Sequence, residues 1–260
     1  MTWDTFIWFA LFSAVCWLCA GGLVFNSKRA VPVNILMLSG LLAMGIFIAG
    51  FWLNLGRPPL RTMGETRLWY GFFLAAAGYV TYRRWSYPWI LLCSNLLACI
   101  FIGINLARPE IHSTSLMPAL QSAYFVPHVT VYILSYAILG VATLAALIQL
   151  NRNRKSRNSD SLYDIMDNCV YIGFGFLLLG MITGALWAKE AWGHYWSWDP
   201  KETWAFITAA AYVLYIHLRM RYRDSSLTLW ILPVAFVLLI IAWIGVSYLP
   251  SAQGSTHIYS

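Results

Sequence analysis

Apolar residues in this chain come in long unbroken blocks, not in the alternating or one-faced patterns of a soluble fold. The blocks cover approximately residues 5–25, 33–55, 67–82, 88–107, 126–150, 166–188, 203–220 and 227–248. Most match the ~20 residues that carry an α-helix across a bilayer. The third is the shortest and rests on Trp69, Tyr70 and Tyr82 as interfacial anchors. Between the blocks stand Asn26-Ser27-Lys28-Arg29, Gly56-Arg57-Pro58-Pro59, Arg83-Arg84, Arg108-Pro109 and the polar stretch from Asn151 to Ser161. The pattern predicts an all-α, polytopic integral membrane protein of about eight transmembrane helices, forming one membrane domain over residues 1–260 without an internal repeat. Of the 260 residues, 60% are hydrophobic and 10% charged, outside the range of ordinary soluble domains. A cytosolic enzyme, a disulfide-rich secreted module and a disordered tail are thereby excluded.

The net charge of +7 is read as helix orientation, with no nucleic acid as partner. Loops 1–2, 3–4, 5–6 and 7–8 hold Lys28, Arg29, Arg83, Arg84, Arg152, Arg154, Lys155, Arg157, Arg219, Arg221 and Arg223, eleven in all. The opposite set holds six: Arg57, Arg61, Arg67, Arg108, Lys189 and Lys201. The first set is expected on the cytoplasmic side, which puts both termini outside. The five cysteines, Cys16, Cys19, Cys93, Cys99 and Cys169, all fall in apolar blocks, where thiols pack as small hydrophobes. No basic region precedes the first block, so it is expected as a retained helix and not a cleaved signal.

The segment 187–204, expected as an external loop, concentrates the chemistry. It holds Trp187, Trp192, Trp196, Trp198 and Trp204, five of the chain's 14 tryptophans, together with Tyr195. An interfacial aromatic belt explains two or three such residues at a helix end, not five. Large aromatic faces suit a flat apolar partner: a lipid, a quinone or a porphyrin. Asp199-Pro200-Lys201-Glu202 has the residue types of a helix start, with Asp at the N-cap, Pro at the first position and Glu completing a capping box. Asp199, Pro200 and Glu202 are therefore assigned to the architecture of the loop.

Of five histidines, three gather on the predicted outer side. His128 opens the fifth block, His194 sits within the Trp segment and His257 lies in the external C-terminal tail, 249–260. An axial imidazole pair on a haem iron needs two histidines facing across a porphyrin packed on aromatics, and His128 and His257 flank the Trp segment in that way. Alone, His128 is equally an interfacial hydrogen-bonding residue and His257 a frayed terminus. His217 lies about 25 Å along its helix from Pro200, near the cytoplasmic end, and is either a membrane-level functional group or a side chain snorkelling beside Arg219. His112, beside Glu110 and Ser113, is read as a solvated residue.

These residues carry a family resemblance. The segment Trp192-Gly-His-Tyr-Trp-Ser-Trp-Asp-Pro-Lys-Glu-Thr-Trp204 resembles the tryptophan-rich WWD signature of the haem-handling cytochrome c assembly proteins. His128-Val-Thr-Val-Tyr-Ile-Leu-Ser-Tyr-Ala137 is similar to the segment with that family's first external haem ligand, and Gly254-Ser-Thr-His257-Ile-Tyr259 to the second. Tyr215-Ile-His217-Leu-Arg219 resembles its membrane-embedded histidine site. The plan looks most like the CcsA (ResC) type of the Ccs system. The resemblance runs from about residue 120 onward, and residues 1–110 match in hydropathy only. Two positions depart from the pattern: Leu55-Gly56-Arg57-Pro58 has Arg where a Gly-His-x-Pro sequence is common, and Ile258 stands where Ser is usual.

The resemblance implies a holocytochrome c synthase subunit in a bacterial inner membrane or a thylakoid. Haem b, its iron ferrous, would enter near His217, whose partner histidine would come from a CcsB/ResB-type membrane subunit. His128 and His257 would then ligate the iron, with the haem edge on Trp187, Trp192, Tyr195, Trp196, Trp198 and Trp204. There its vinyl groups would meet the thiols of a C-x-x-C-H motif in apocytochrome c. A haem transporter with no part in attachment expects an internal repeat and broken helices at the midplane. A b-type electron carrier expects facing histidine pairs within the bilayer, and a quinone protein leaves the flanking histidines unexplained.

Overall fold

The computed structural model describes residues 1–26, 30–112, 122–153, 160–222 and 225–249. Among the described residues the secondary structure is helical, and the fold is that of an all-α polytopic membrane protein. Its helices are α1 (Trp3–Leu23), α2 (Ala30–Leu55), α3 (Met63–Trp85), α4 (Pro88–Ala107), α5 (Phe125–Asn153), α6 (Asp160–Trp192), α7 (Pro200–Arg221) and α8 (Ser226–Trp243). Each apolar block falls largely within one of them. Six, α1, α2, α4, α5, α6 and α8, are long and apolar enough to cross a membrane. The other two, α3 and α7, match them in length but carry charged residues near both ends.

The ends differ from the apolar blocks where polar capping takes over. Helix α3 starts at Met63, ahead of its block, because Thr62 accepts from the Glu65 amide at 3.0 Å while Glu65 accepts from the Thr62 amide at 3.2 Å. Helix α6 runs past residue 188 to Trp192. It stops where Gly193 adopts φ +86°, with the Gly193 amide bonded to the Lys189 carbonyl.

The chain divides into two compact units, Met1–Thr114 and Ser115–Ser260. In the first, α1 packs on α2, α3 on α4, and α1 closes against α4. A 3-10 turn, Pro109–His112, follows α4. Its core is aromatic at one end, where Phe6 meets Phe47 at 5.0 Å and Trp3 meets Phe51 at 5.1 Å. Midway, the Ser13 hydroxyl donates to the Gly40 carbonyl and the Asn95 amide to the Trp17 carbonyl, satisfying backbone groups that helix packing approaches. His112 is not a solvated loop residue. Its ring lies flat on Trp3, with centroids 3.8 Å apart and planes 4° from parallel, and desolvation holds its pKa below the ordinary histidine value.

The second unit repeats the order: α5 packs on α6, α7 on α8, α5 closes against α8, and a 3-10 turn, Gly245–Tyr248, follows. This correspondence between the units leaves no imprint on the pattern of apolar blocks. At the end formed by the start of α6 and the close of α7, Arg219 is buried and forks onto the partly buried Asp167 at 3.0 and 3.1 Å. Tyr215 donates to the same carboxylate, and the guanidinium lies over the Tyr163 ring at 4.4 Å. Removing one partner of a buried pair strands the other charge, at a cost of about 3 kcal/mol. Asp167→Ala therefore lowers the thermal unfolding midpoint of the detergent-solubilised protein markedly. The pair Asp167→Ala with Arg219→Met recovers most of the loss, and equal loss in both variants defeats this account.

Candidate functional site

Helices α5 and α6 form the tightest seam in the second unit, and glycines on α6 make it possible. A Cβ on Gly173 would stand 2.8 Å from Leu139, one on Gly180 2.6 Å from the Tyr132 ring, and one on Gly184 2.6 Å from His128 Cε1. Stepping seven and four residues along α5 matches the same steps backward along α6, one antiparallel register held over three turns. One further step of three pairs Phe125 with Trp187, ring centroids 5.3 Å apart. Small residues at such seams let backbones approach where lipid supplies no hydrophobic drive between helices.

That approach seats His128. Its Nδ1 lies 2.8 Å from the Gly180 carbonyl. A carbonyl only accepts, so the neutral ring is assigned its proton on Nδ1 and its lone pair on Nε2. Trp187 lies against the imidazole at 5.4 Å with planes 28° apart, and Tyr132 packs on it edge-to-face at 4.7 Å. Trp187 is buried, so it backs the histidine from inside the unit, and Trp192 packs on it at 4.9 Å.

From Trp192 the chain turns through Gly193 into the stretch His194, Tyr195, Trp196, Ser197, Trp198, exposed except for the half-buried Trp196. Lys189 holds its start, donating to the Gly193 carbonyl at 2.7 Å and lying over the Tyr195 ring at 5.5 Å. Glu202, buried, holds its end: one carboxylate oxygen accepts from the Ser197 amide at 2.8 Å and the Asp199 amide at 3.1 Å. Asp199 in turn accepts from the Lys201 amide at 2.8 Å, with Pro200 as the first helical residue. Between those two anchored amides, Trp198 adopts φ +58°, the left-handed region that costs a non-glycine residue roughly 1–2 kcal/mol. The strained backbone points the indole outward, 62% exposed, its edge on Trp196 at 5.7 Å and on Phe206 at 5.6 Å.

The structure therefore sorts the candidate residues into groups. His128, Trp187 and Trp192 form one inner cluster. Tyr195, Trp196 and Trp198 line the outer turn, and Trp204, half-buried, belongs to α7. His217 is on α7, exposed, its Nδ1 2.8 Å from the Val213 carbonyl. It shares a face with Phe206 and Val213, at helical steps of seven and four. His257 lies outside the described residues. Sequence reading missed Gly180, Gly184 and Tyr132, although glycines spaced seven and four apart on an apolar helix were the available signal. Arg57, at the departure from the family pattern, is committed to Glu65 through two hydrogen bonds of 2.8 and 3.0 Å.

The fold and the site define a helical membrane protein with a histidine against a buried tryptophan and a strained, outward tryptophan turn. Family comparison makes this specific: residues 6–252 match the model described as cytochrome C assembly protein, and the chain belongs to that family. It is 33% identical over 263 residues to a cytochrome c biogenesis protein CcsA of Prochlorococcus marinus, covering 86% of this chain and 83% of that one. A CcsA of Cuscuta reflexa is 30% identical, covering 85% and 82%. Among solved structures, the cytochrome c heme lyase CcmF shares the fold with a TM-score of 0.70 at 16% identity, over 93% of this chain and 46% of that one. The chain is thus a protein of cytochrome c biogenesis.

Glu202→Ala frees the Ser197 and Asp199 amides and destabilises the turn by about 1–2 kcal/mol. Limited proteolysis of the folded protein reads this as faster cleavage between Gly193 and Asp199. Glu202→Gln keeps an acceptor and shows a smaller change. Unaltered cleavage in Glu202→Ala removes the carboxylate from its organising role.

Proposed function

We propose that the protein binds haem at the His128 end of its second unit and presents it there for covalent attachment to apocytochrome c. The observation that carries this reading is the His128 imidazole, donating from Nδ1 to a fixed carbonyl and backed by Trp187, at the end of the unit where Trp198 is exposed. The donor set fits the cargo: a neutral imidazole nitrogen for iron, and the exposed Trp198 indole and Tyr195 ring for the porphyrin edge. His257 is the second axial ligand in this reading. It draws support from the route of the chain, since Trp243 at the end of α8 packs on Tyr136 of α5 at 5.7 Å, so the described chain leaves at the His128 end. The first unit offers a parallel: there the segment after the fourth helix brings His112 back onto Trp3 at the start of the first.

Haem is substrate in this scheme. Each thiol of a C-x-x-C-H motif adds across a vinyl group, sulfur bonding one carbon and a proton passing to the other, without net oxidation. This chain supplies position: it fixes the imidazole, holds the vinyl edge near the thiols and shields ferrous iron between two neutral imidazoles. A CcsB/ResB-type subunit is the proposed partner and the proposed source of the histidine opposite His217. The eight helices are proposed to cross the membrane, with both termini and the tryptophan turn outside. Carriage of haem along α7 also fits, because Trp198, Phe206, Val213 and His217 follow one exposed face, with about 16 Å from Phe206 to His217.

His128→Ala is expected to lose most of the haem that co-purifies with the full chain and its partner, with added imidazole restoring the reduced absorption bands. An unchanged spectrum overturns the ligand assignment. Trp196→Ala combined with Trp198→Ala leaves the protein in the membrane, lowers haem occupancy and reduces cytochrome c maturation several-fold. Normal haem content and maturation in that double variant rejects the platform.

A further inference from the structure

We propose that Gly184, acting with the Gly180 carbonyl, is the positioning element that sets the tautomer and tilt of the His128 imidazole and thereby the donor strength of its Nε2. The inference rests on the reading of His128 as a haem ligand. Three observations converge on the ring. Its Nδ1 is 2.8 Å from the Gly180 carbonyl. The space a side chain would need at Gly184 is already taken, with His128 Cε1 and Nδ1 at 2.6 and 2.7 Å from an ideal Cβ. Trp187 covers the ring at 5.4 Å and Tyr132 packs on it edge-to-face at 4.7 Å. Any residue larger than glycine at 184 displaces the imidazole from the carbonyl, and the neighbouring aromatic rings leave it little room to re-form the bond elsewhere.

The electronic consequence follows from ordinary ligand chemistry. An imidazole that donates a hydrogen bond from one nitrogen is a stronger base at the other, and a stronger axial base stabilises ferric over ferrous iron. The Gly180 carbonyl is shared, since the Thr183 hydroxyl also reaches it at 3.1 Å while donating to Leu179 at 2.9 Å. Gly184 thus governs geometry, and the loading of the Gly180 carbonyl governs strength.

The test uses the full-length protein in detergent, with two glycines as internal standards. Gly175 has open space at its Cβ position, whereas Gly173 is as crowded as Gly184 but against Leu139, not an imidazole. In the haem-free protein, nitrogen-15 histidine spectra, assigned by difference from His128→Ala, are expected to show the Nδ1–H tautomer in the parent and in Gly175→Ala. Gly184→Ala is expected to mix the tautomers. In the haem-loaded protein with its partner, Gly184→Ala alone shifts the midpoint potential positive and alters the reduced bands, whereas Gly173→Ala lowers thermal stability at an unchanged potential. Should Gly184→Ala fail to accumulate, Thr183→Val carries the test, with a negative shift expected as His128 gains the carbonyl for itself. Equal behaviour of Gly184→Ala and Gly175→Ala, equal potential shifts in Gly184→Ala and Gly173→Ala, or an unmoved potential in Thr183→Val each overturns the proposal. If His128→Ala keeps its haem spectrum, the ligand reading falls, while the tautomer measurement still judges the positioning role by itself.

Discussion

The close seam between α5 and α6 is the constraint on which the rest of the second unit depends. A histidine at the start of a membrane helix gains a fixed orientation only if some acceptor comes within reach, and an α-helix hides its carbonyls behind side chains. Glycine removes that shield. With Gly180 and Gly184 facing α5, a carbonyl lies 2.8 Å from His128 Nδ1, and the same register lays Trp187 against the ring. Packing, tautomer and aromatic backing are therefore one arrangement, and disturbing the glycine face disturbs all three.

A second device acts at the helix starts. In each unit an acidic residue at the third helical position, Glu65 or Glu202, is buried and turned back onto amides of the preceding loop. Near a lipid boundary an unsatisfied amide is costly, so a carboxylate gathering two or three donors stiffens a segment that would otherwise sample many shapes. In the second unit that stiffness holds Trp198 in a left-handed backbone conformation, keeping a large apolar surface turned outward where burial would otherwise be favoured. The first unit uses the same cap without the tryptophans and ties its loop with Arg57 instead.

Legibility in the sequence followed the scale of the physics. The helices were legible because a bilayer demands long apolar blocks, and the capping chemistry at Asp199, Pro200 and Glu202 was legible because it is local. The ends of α3 and α6 ran past their blocks because the Thr62–Glu65 cap and the left-handed Gly193, not hydropathy, decided where they fall. His128 stood out by its neighbours, but its bond to Gly180 joins residues 52 positions apart and depends on helix register, which hydropathy does not encode. Trp187 looked like one more member of an exposed aromatic surface, whereas helix α6 extends far enough to bury it. His112 has the polar flanking residues of a solvated position, yet Trp3, from the far end of its unit, covers it.

The two units share more than helix number: each closes its fourth helix onto its first and then makes a short 3-10 turn. All contacts that define the first unit lie within the opening 114 residues. A nascent chain can therefore complete that half while the remainder is still being synthesised, in keeping with the tendency of domains to fold as they emerge. The half bearing the tryptophan turn would then fold after the first is complete, and errors in its glycine seam would be confined to the later stage of biosynthesis.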